Sequence, residues 1–432
     1  MAQATIYGRM DASYGVKQTT LGNGGLNWKQ TGVMDGLATS NAIGFDATDD
    51  IGGGMKGRFV GEVGLSPTNA SGMIGGMRTG NAGAQLDGYA ANSADLYDFG
   101  TRGGYTQGSN RQTFVELSGG FGRVRAGYMR TLGYELASFS GHTMTWEGAA
   151  GGQVGHVHGL GAAGGTRGNS IEYQLPSFGN VTVGVQMGSA TGRELTEFGA
   201  LTTNAAVTGN NNTASGVQKA QATRNSLKID WANGPAKAGM VYTSFVSSAS
   251  GAVMNTDTTG DGTAAAPSLD TTLTYNVFGA LTGISTIGNR TGTTNYTTTL
   301  TQVAGSYDFG MVKIGANINM GSQLISENAS AGATNVAANG STVDIKSQAI
   351  SFMMPMGAME LAGGMSTATT STAGTATKDL ATSQLSLKYN FSKRTAVYGL
   401  VGQVKDQTSI NATSATTVGY MTQSGLGMLT TF

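Results

Sequence analysis

Apolar and polar residues alternate with a period of two along most of the chain, which predicts β-strands with one apolar face and one polar face. In "SLKIDW", Leu227, Ile229 and Trp231 share one face, and the residues between them are Ser, Lys and Asp. The stretches "VTVGVQM" (181–187), "MVKIGANI" (311–318) and "QLSLKY" (384–389) have the same pattern. The sequence therefore predicts an all-β chain.

Tight turns and long connections alternate between these strands. Seven tight turns stand in "DATDDIGGGMKG", "LSGGFGRVR", "LPSFGNVT", "WANGPAKAG", "YDFGMVK", "MPMGAMEL" and "YNFSKRTAV". The other connections are Gly/Thr/Asn/Ser stretches of about 15 to 50 residues, a length that is uncommon in compact soluble domains. Short turns on one side and long loops on the other are typical of transmembrane β-barrels.

The strand count follows from the turns. Seven turns join fourteen strands, and an opening strand (5–14) and a closing strand (418–432) make sixteen. An even number lets an antiparallel up-and-down barrel close, so that every backbone group at membrane depth is paired. An additional hairpin within "TLTYNVFGALTGIST" (272–286) would give eighteen strands, the second choice.

Composition agrees with this interpretation. Of 432 residues, 70 are Gly and 12% are charged, about half the charged share of a soluble domain. No apolar run is long enough for a membrane helix. The formal net charge is zero, which removes the electrostatic case for nucleic acid, and the chain has no cysteine for disulfides or thiol chemistry. The start, Met1-Ala2-Gln3, is interpreted as a mature N-terminus with an added Met.

Several stretches resemble the trimeric Gram-negative porins, especially the betaproteobacterial type. They are "YGRMDASYG", "AIGFDATDDIGGGMKGRF" (42–59), "NRQTFVELSGGFGRVRAGY" (110–128), "RGNSIEYQLPSFGNVTVG" (167–184), "YNFSKRTAVYG" (389–399) and the terminal Phe432. The resemblance implies one barrel domain over 1–432, a homotrimer, and a third loop (about 131–166) folded into the lumen. It also implies that Phe432 is an assembly signal read by the outer-membrane assembly machinery.

Residues of the pore constriction are carried over from the resemblance. Arg9, Arg111 and Arg167 match positions of the family's basic ladder, and Glu135 and Glu147 are the only acids of the third loop. This chain departs from the family where Ala42 replaces a wall arginine and where the third loop lacks a Pro-Glu-Phe type stretch. These departures affect the expected width and selectivity of the pore.

Alternation also assigns charges to the pore wall, because a charge on the lipid side near the midplane costs about 2–4 kcal/mol. The wall residues predicted in this way are Asp11, Arg58, Glu62, Arg123 and Arg125. Arg167 does not fit this assignment: if Ser170 and Glu172 face the lumen, strict alternation makes Arg167 face the lipid. A bulge or loop geometry at residues 167–169 is therefore expected.

Other signals for chemistry are weak. His156 and His158 have a spacing that could chelate a metal, and "NTDTTGDGT" (255–263) has oxygen ligands, but neither supplies a complete ligand set. All three histidines fall in the third loop, so a Ser-His-acid site on a strand is not expected. No metal, cofactor or catalytic residue is predicted.

The functional expectation is an outer-membrane diffusion channel for small hydrophilic solutes and ions, weakly anion-preferring and not an enzyme. Its expected surroundings are outer-membrane lipid and lipopolysaccharide. One alternative is an adhesive or structural barrel whose long loops bind a surface layer or host, and another is a soluble lectin-like all-β protein. Channel conductance would exclude the first alternative, and a requirement for detergent would exclude the second.

Overall fold

The computed structural model describes most of the strands and turns of the chain. The described residues are 3–21, 28–35, 37–39, 41–65, 110–140, 167–191, 219–253, 273–275, 281–284, 290–329, 342–372, 375–408 and 417–432. Within them, no α-helix has the length and apolar character needed to span a membrane.

Strands make up nearly all of the described chain. In chain order they are β1 (Gln3–Leu21), β2 (Trp28–Asp35), β3 (Ala42–Gly52), β4 (Met55–Gly64), β5 (Asn110–Gly119), β6 (Gly122–Arg130), β7 (Arg167–Gln174), β8 (Val181–Thr191), β9 (Lys219–Asn233), β10 (Ala236–Val253), β11 (Leu273–Tyr275), β12 (Leu281–Ile284), β13 (Arg290–Asp308), β14 (Lys313–Ala329), β15 (Thr342–Met356), β16 (Met359–Thr372), β17 (Thr375–Asn390), β18 (Thr395–Thr408) and β19 (Thr417–Thr431). One short helix, α1 (Leu132–Ala137), follows β6 and continues into a 3₁₀ turn, Ser138–Ser140.

The sheet closes on itself as a sixteen-stranded antiparallel barrel. Each strand pairs with its neighbour in the chain, and β1 completes the circle by pairing with β19 from Arg9↔Thr431 to Leu21↔Gly419. β2 and β3 both pair with β1, along its second and first halves, so together they form one barrel strand. The prediction of sixteen strands is confirmed. The hairpin suspected within 272–286 is present as β11–β12, but it is a separate two-stranded sheet and not part of the barrel.

All seven predicted tight turns join consecutive strands at one end of the barrel. Gly234 and Gly357 have φ of +55° and +65°, left-handed values that glycine adopts without strain. The expectation of long connections at the other end is wrong in places. Only residues 373–374 separate β16 from β17, because the Thr- and Ser-rich stretch predicted as loop continues the two strands.

The expected bulge at residues 167–169 is also wrong. β6 and β7 pair without a register shift from Arg123↔Gln174 to Arg130↔Arg167. Ser170 and Glu172 are buried, whereas Ile171 between them is 61% exposed. Residue 167 therefore falls in the same phase of the strand as Ile171.

The two faces of the barrel differ in chemistry. The outer face carries large exposed apolar side chains, such as Leu227, Ile229 and Trp231 on β9, which confirms the predicted alternation. Exposed aromatic residues gather at the tight-turn end: they are Phe121, Phe178, Trp231, Tyr307, Phe309, Tyr389, Phe391 and Phe432. Such a girdle is typical of the interface between membrane and water. The aromatic rim and the apolar band fix how the barrel sits in the bilayer.

Candidate functional site: the channel lumen

A row of charged and polar side chains crosses the inner wall from β4 to β8. Its members are direct cross-strand partners, one from each strand: Arg58↔Glu116, Glu116↔Arg125, Arg125↔Glu172 and Glu172↔Gln186. Directly opposite side chains on one face of a sheet are close enough to interact. Because the signs alternate from Arg58 to Glu172, strand pairing alone builds an array of ion pairs.

The distances confirm that these charges are paired. Arg58 Nε donates to Asp46 Oδ1 at 2.8 Å, and Arg123 Nη2 donates to Glu172 Oε1 at 3.0 Å. Arg125 Nη2 lies 2.6 Å from both oxygens of Glu172, and its guanidinium stands 5.5 Å from the centre of the Phe114 ring. The predicted wall residues Arg58, Arg123 and Arg125 thus lie on the inner face within an ion-pair array.

Helix α1 is held against the inner wall beyond this array. Its Leu132 and Leu136 are buried with Val241 of β10 and Ala304 of β13. Leu136 lies where Gly239 has no side chain, since a Cβ there would be 2.6 Å from Leu136 Cδ1. Met240 and Tyr242, on either side of Val241, are exposed on the outside, so α1 contacts the lumen side of β10.

Glu135 ties α1 to two strands that are separated by β7 and β8. Its carboxylate accepts from Arg125 of β6 at 3.1 Å and from Lys228 of β9 at 3.2 Å. Burial alone would raise the pKa of Glu135, but the charges of Lys228 and Arg125 outweigh burial and lower it. Glu135, predicted as a constriction acid, forms two ion pairs that hold α1 against the wall.

Arg224 of β9 differs from the other inner arginines. It is 6% exposed, and within the described ranges no carboxylate lies within ion-pair distance of it; its Nε, like that of Arg123, has no hydrogen-bond partner. Its guanidinium crosses two glycines of neighbouring strands, Gly168 and Gly188, where added Cβ atoms would lie 2.8 and 3.5 Å from Nη2. Sequence reasoning missed this residue, although its place in phase with Ser226 and Lys228 put it on the inner face.

Arg9, Asp11 and Glu62 lie on the inner face near the start of β1. Arg9 Nη2 is 4.0 Å from Glu62 Oε1, and Tyr7 donates to the same carboxylate at 3.3 Å. Asp11 is completely buried. Its carboxylate accepts backbone N–H groups of Ala38 and Thr39 at 2.9 and 2.8 Å, so it holds a piece of backbone in addition to lying on the wall.

Two predicted constriction residues are located only by their place in a strand, and a third is not described. Arg111 is the second residue of β5 and Arg167 is the first residue of β7, both at the end of the barrel opposite the tight turns. Glu147 lies outside the described residues, as do His156, His158 and the stretch 255–263. The roles of Arg111, Arg167 and Glu147 stay predictions.

A feature that sequence reasoning did not find is the turn between β2 and β3. Of this β2–β3 turn the structure describes residues 37–39 and Asn41. Leu37 and Ala38 are fully buried in one cluster with Ala362, Tyr398 and Leu400. The signal was present in the sequence, because alternation puts Tyr398 and Leu400 on the inner face, where apolar side chains need a cover.

Fold and lumen together define the class: a transmembrane barrel enclosing a charged channel that is narrowed by an inward segment. Comparison with family models matches residues 1–409 to the Gram-negative porin family, so the chain belongs to that family. It is an outer-membrane diffusion porin, a water-filled channel for small hydrophilic solutes and ions, and the family consists of channels, not enzymes.

Solved structures of porins have a similar fold. An anion-selective porin from Comamonas acidovorans has a TM-score of 0.58 at 17% identity, with full coverage of both chains. A loop L8 deletion mutant of OmpT from Vibrio cholerae has a TM-score of 0.55 at 12% identity, covering 100% of this chain and 99% of the other. OmpF of Salmonella typhi, in complex with daunomycin, has a TM-score of 0.50 at 14% identity, covering 99% and 97%. Comparison with curated proteins gives no match.

Proposed function

We propose that the channel is weakly anion-preferring. The observation that carries the proposal is the buried guanidinium of Arg224, which has no acidic partner among the described residues. The other lumen cations discussed above, from Arg9 to Lys228, are each offset by a carboxylate within 4.0 Å. Arg224 therefore adds a positive charge that no described carboxylate offsets locally, on a wall whose other charges are paired. At 17% identity the Comamonas porin establishes the fold, so the proposal rests on the charges of this chain.

The expected strength follows from screening. A lumen charge acts on passing ions within about a Debye length, ~8 Å at physiological salt. The preference for anions is therefore expected to be modest in concentrated KCl and to grow as salt is diluted. Arg9, Arg111 and Arg167, with Glu135 and Glu147 on the third loop, are proposed to act on ions along the channel, Arg111 and Arg167 from the end opposite the tight turns, and the loop over 131–166 is proposed to fold inward.

The test is the reversal potential of single channels in a KCl gradient. Wild-type protein is expected to prefer anions weakly, Arg224→Gln to shift the reversal potential towards cations, and Arg224→Lys to retain the wild-type value. Both variants leave the ion-pair array intact, so the charge at residue 224 is the variable. Cation preference in the wild type, or the same reversal potential in Arg224→Gln and Arg224→Lys, would contradict the proposal without affecting the porin assignment.

We further infer a homotrimer in contact with lipopolysaccharide and recognition of the C-terminus by the outer-membrane assembly machinery. Phe432 supports the second point, because its backbone exchanges two 3.1 Å hydrogen bonds with Gly8 and its ring lies over that glycine. Phe432 is 49% exposed, so a partner can reach it.

Deletion of Phe432 is expected to lower the amount of assembled, heat-modifiable protein in outer membranes without changing synthesis. Leu426→Ala, which truncates an outward side chain of the same strand, serves as control. A monomeric mass in mild detergent would contradict the trimer, and normal assembly without Phe432 would contradict the recognition role.

A further inference from the structure

The strand formed by β2 and β3 contains an insertion opposite the middle of β1. Ala12 pairs with Asp35 and Arg9 pairs with Ala42, so residues 36–41 stand opposite only Met10 and Asp11. A regular antiparallel partner would supply two residues there, and an ordinary bulge would add one. The additional chain must leave the plane of the sheet, either outward into lipid or inward into the lumen.

Packing shows that the β2–β3 turn lies inside the barrel. Leu37 and Ala38 contact Tyr398 and Leu400 of β18 in a buried cluster. The residues that flank these two on β18, Val397 and Val401, are 37% and 52% exposed on the outer face, so Tyr398 and Leu400 face inward. A Cβ at Gly425 of β19 would be 2.5 Å from Leu37 Cδ1. Because Gly425 has no side chain, Leu37 can pack directly against the backbone of β19.

Hydrogen bonds fix the turn in this position. Asp11 Oδ2 accepts from the N–H groups of Ala38 and Thr39, and Asp11 Oδ1 accepts from the Tyr398 hydroxyl at 2.5 Å. The Asn41 side chain bonds both the N–H and the carbonyl oxygen of Asp11. Carboxylates that accept several N–H and O–H groups form strong, charge-assisted bonds. One buried residue of β1 therefore anchors Ala38, Thr39 and Asn41 of the insertion.

The turn and α1 lie at the same level of the barrel. The turn contacts Ala362, three residues after the start of β16 at Met359, and Tyr398, three residues after the start of β18 at Thr395. Helix α1 covers Gly239, three residues after the start of β10 at Ala236. All three strands start at the tight-turn end, so both elements lie roughly 10 Å along the strands from that rim.

We propose that the β2–β3 turn is a second constriction element, anchored by Asp11, which together with α1 sets the size limit of the channel. The two elements cover different parts of the inner wall. Helix α1 and the turn after it contact β9, β10, β13, β14 and β15, whereas the β2–β3 turn contacts β1, β16, β18 and β19. The two elements therefore narrow the lumen at one level along an arc of the wall that runs from β9 round to β1, and pore diameter is a principal determinant of what passes.

The decisive experiment replaces residues 36–41 with two threonines, which makes the strand continuous opposite Met10 and Asp11. Single-channel conductance is expected to rise by about 1.5-fold or more, and larger polyethylene glycols are expected to enter the pore. Gly399→Ala is the control, because its added methyl group would face Leu426 on the outside. Heat-modifiable mobility establishes that each variant is assembled.

A milder variant decides the case if the replacement does not assemble. Asp11→Ala removes the anchor and is expected to admit larger polymers than wild type. Asp46→Ala removes a carboxylate from the same inner face that pairs with Arg58 and holds no backbone, so it controls for charge. The inference rests on the channel assignment and not on anion preference, and neutral polymers test it independently of ion selectivity. A wild-type polymer limit in every assembled variant would overturn it.

Discussion

The inner wall of this porin has two sectors with opposite character. Strands β3 to β7 present an array of ion pairs, from Asp46 and Arg58 to Arg123, Arg125 and Glu172, with inner side chains facing the lumen. Strands β9 to β19 present many polar inner residues and, among them, apolar ones such as Val241, Ala304 and Leu400, which are covered by α1 or by the β2–β3 turn. Linked ion pairs predominate on the first wall, and the apolar residues of the second wall lie where inward chain packs against it.

The difference teaches how a barrel can be narrowed without a second domain. An apolar residue on the inner face is unfavourable in contact with water, so it favours the docking of any apolar segment that reaches it. Glycines in the covered sector, such as Gly239 and Gly425, let that segment approach closely. In the charged sector the ion pairs offset one another's charge, and Arg125 and Glu172 are largely buried within the array.

The largest effect is expected from removing an apolar contact of the covered sector. Leu136→Ala is expected to weaken docking of α1 by about 2–5 kcal/mol, as for other buried Leu→Ala changes. Since 1.4 kcal/mol is tenfold in an equilibrium, the undocked population should rise more than tenfold. Single-channel records should show correspondingly more frequent current fluctuations.

The matched control is Leu385→Ala, the same change at an outward position of β17 that is 45% exposed. Equal fluctuation rates in the two variants would show that α1 does not depend on the apolar wall, and the comparison of the two sectors would fail.

A second large effect is expected in the charged sector. Arg125→Met leaves the buried carboxylate of Glu172 without its closest partner, and breaking a buried pair typically costs about 3–5 kcal/mol. The temperature at which the folded band converts on gels should fall. Adding Glu172→Gln should restore much of the loss, because the uncompensated charge is then removed as well. A double variant no more stable than Arg125→Met would mean that the array does not stabilise the barrel.

An intermediate effect is expected from acid. Because the pKa of Glu135 is lowered, its contribution to docking is complete above the unfolded value of about 4.3 and is lost as the pH falls below that value through the folded pKa. Wild-type channels should stay quiet from pH 7 to about pH 5 and fluctuate only in stronger acid. Glu135→Gln should fluctuate at every pH. Fluctuations that begin near pH 6 would instead indicate the histidines of the third loop.

Much of this architecture could be predicted from the sequence, and the reasons are local. Period-two alternation predicted which residues of each strand face the lumen, and the seven tight turns predicted the order of the strands in the barrel. Both signals can be read because each is contained within about ten consecutive residues. The expected bulge near Arg167 was wrong because regular pairing with β6 outweighed a preference to turn one arginine inward. That Arg167 matches a basic position of the family therefore does not establish which face of β7 the residue lies on.

The inward elements were harder to predict for a physical reason. Whether Asp11 faces water or anchors Ala38 depends on contacts between residues 27 positions apart in the chain, and Tyr398 joins the same carboxylate from β18. The sequence likewise predicted which charged residues face the lumen, but not which of them form ion pairs, since that depends on the register between neighbouring strands. Arg224 stands out only once its neighbours are known to be glycines.

The smallest effect is expected when both residues of one ion pair in the charged sector are replaced in the same variant. Arg58→Gln alone and Asp46→Asn alone should shift the reversal potential in opposite directions, because each removes one lumen charge and the two charges have opposite sign. The double variant leaves the net charge unchanged, and the field of the lost pair is dipolar and screened within ~8 Å at physiological salt. Its reversal potential should therefore match the wild type within error, in contrast to Arg224→Gln. If the double variant shifted the potential as far as Arg224→Gln does, paired and unpaired wall charges would act alike, and the array could not be regarded as electrically neutral to passing ions.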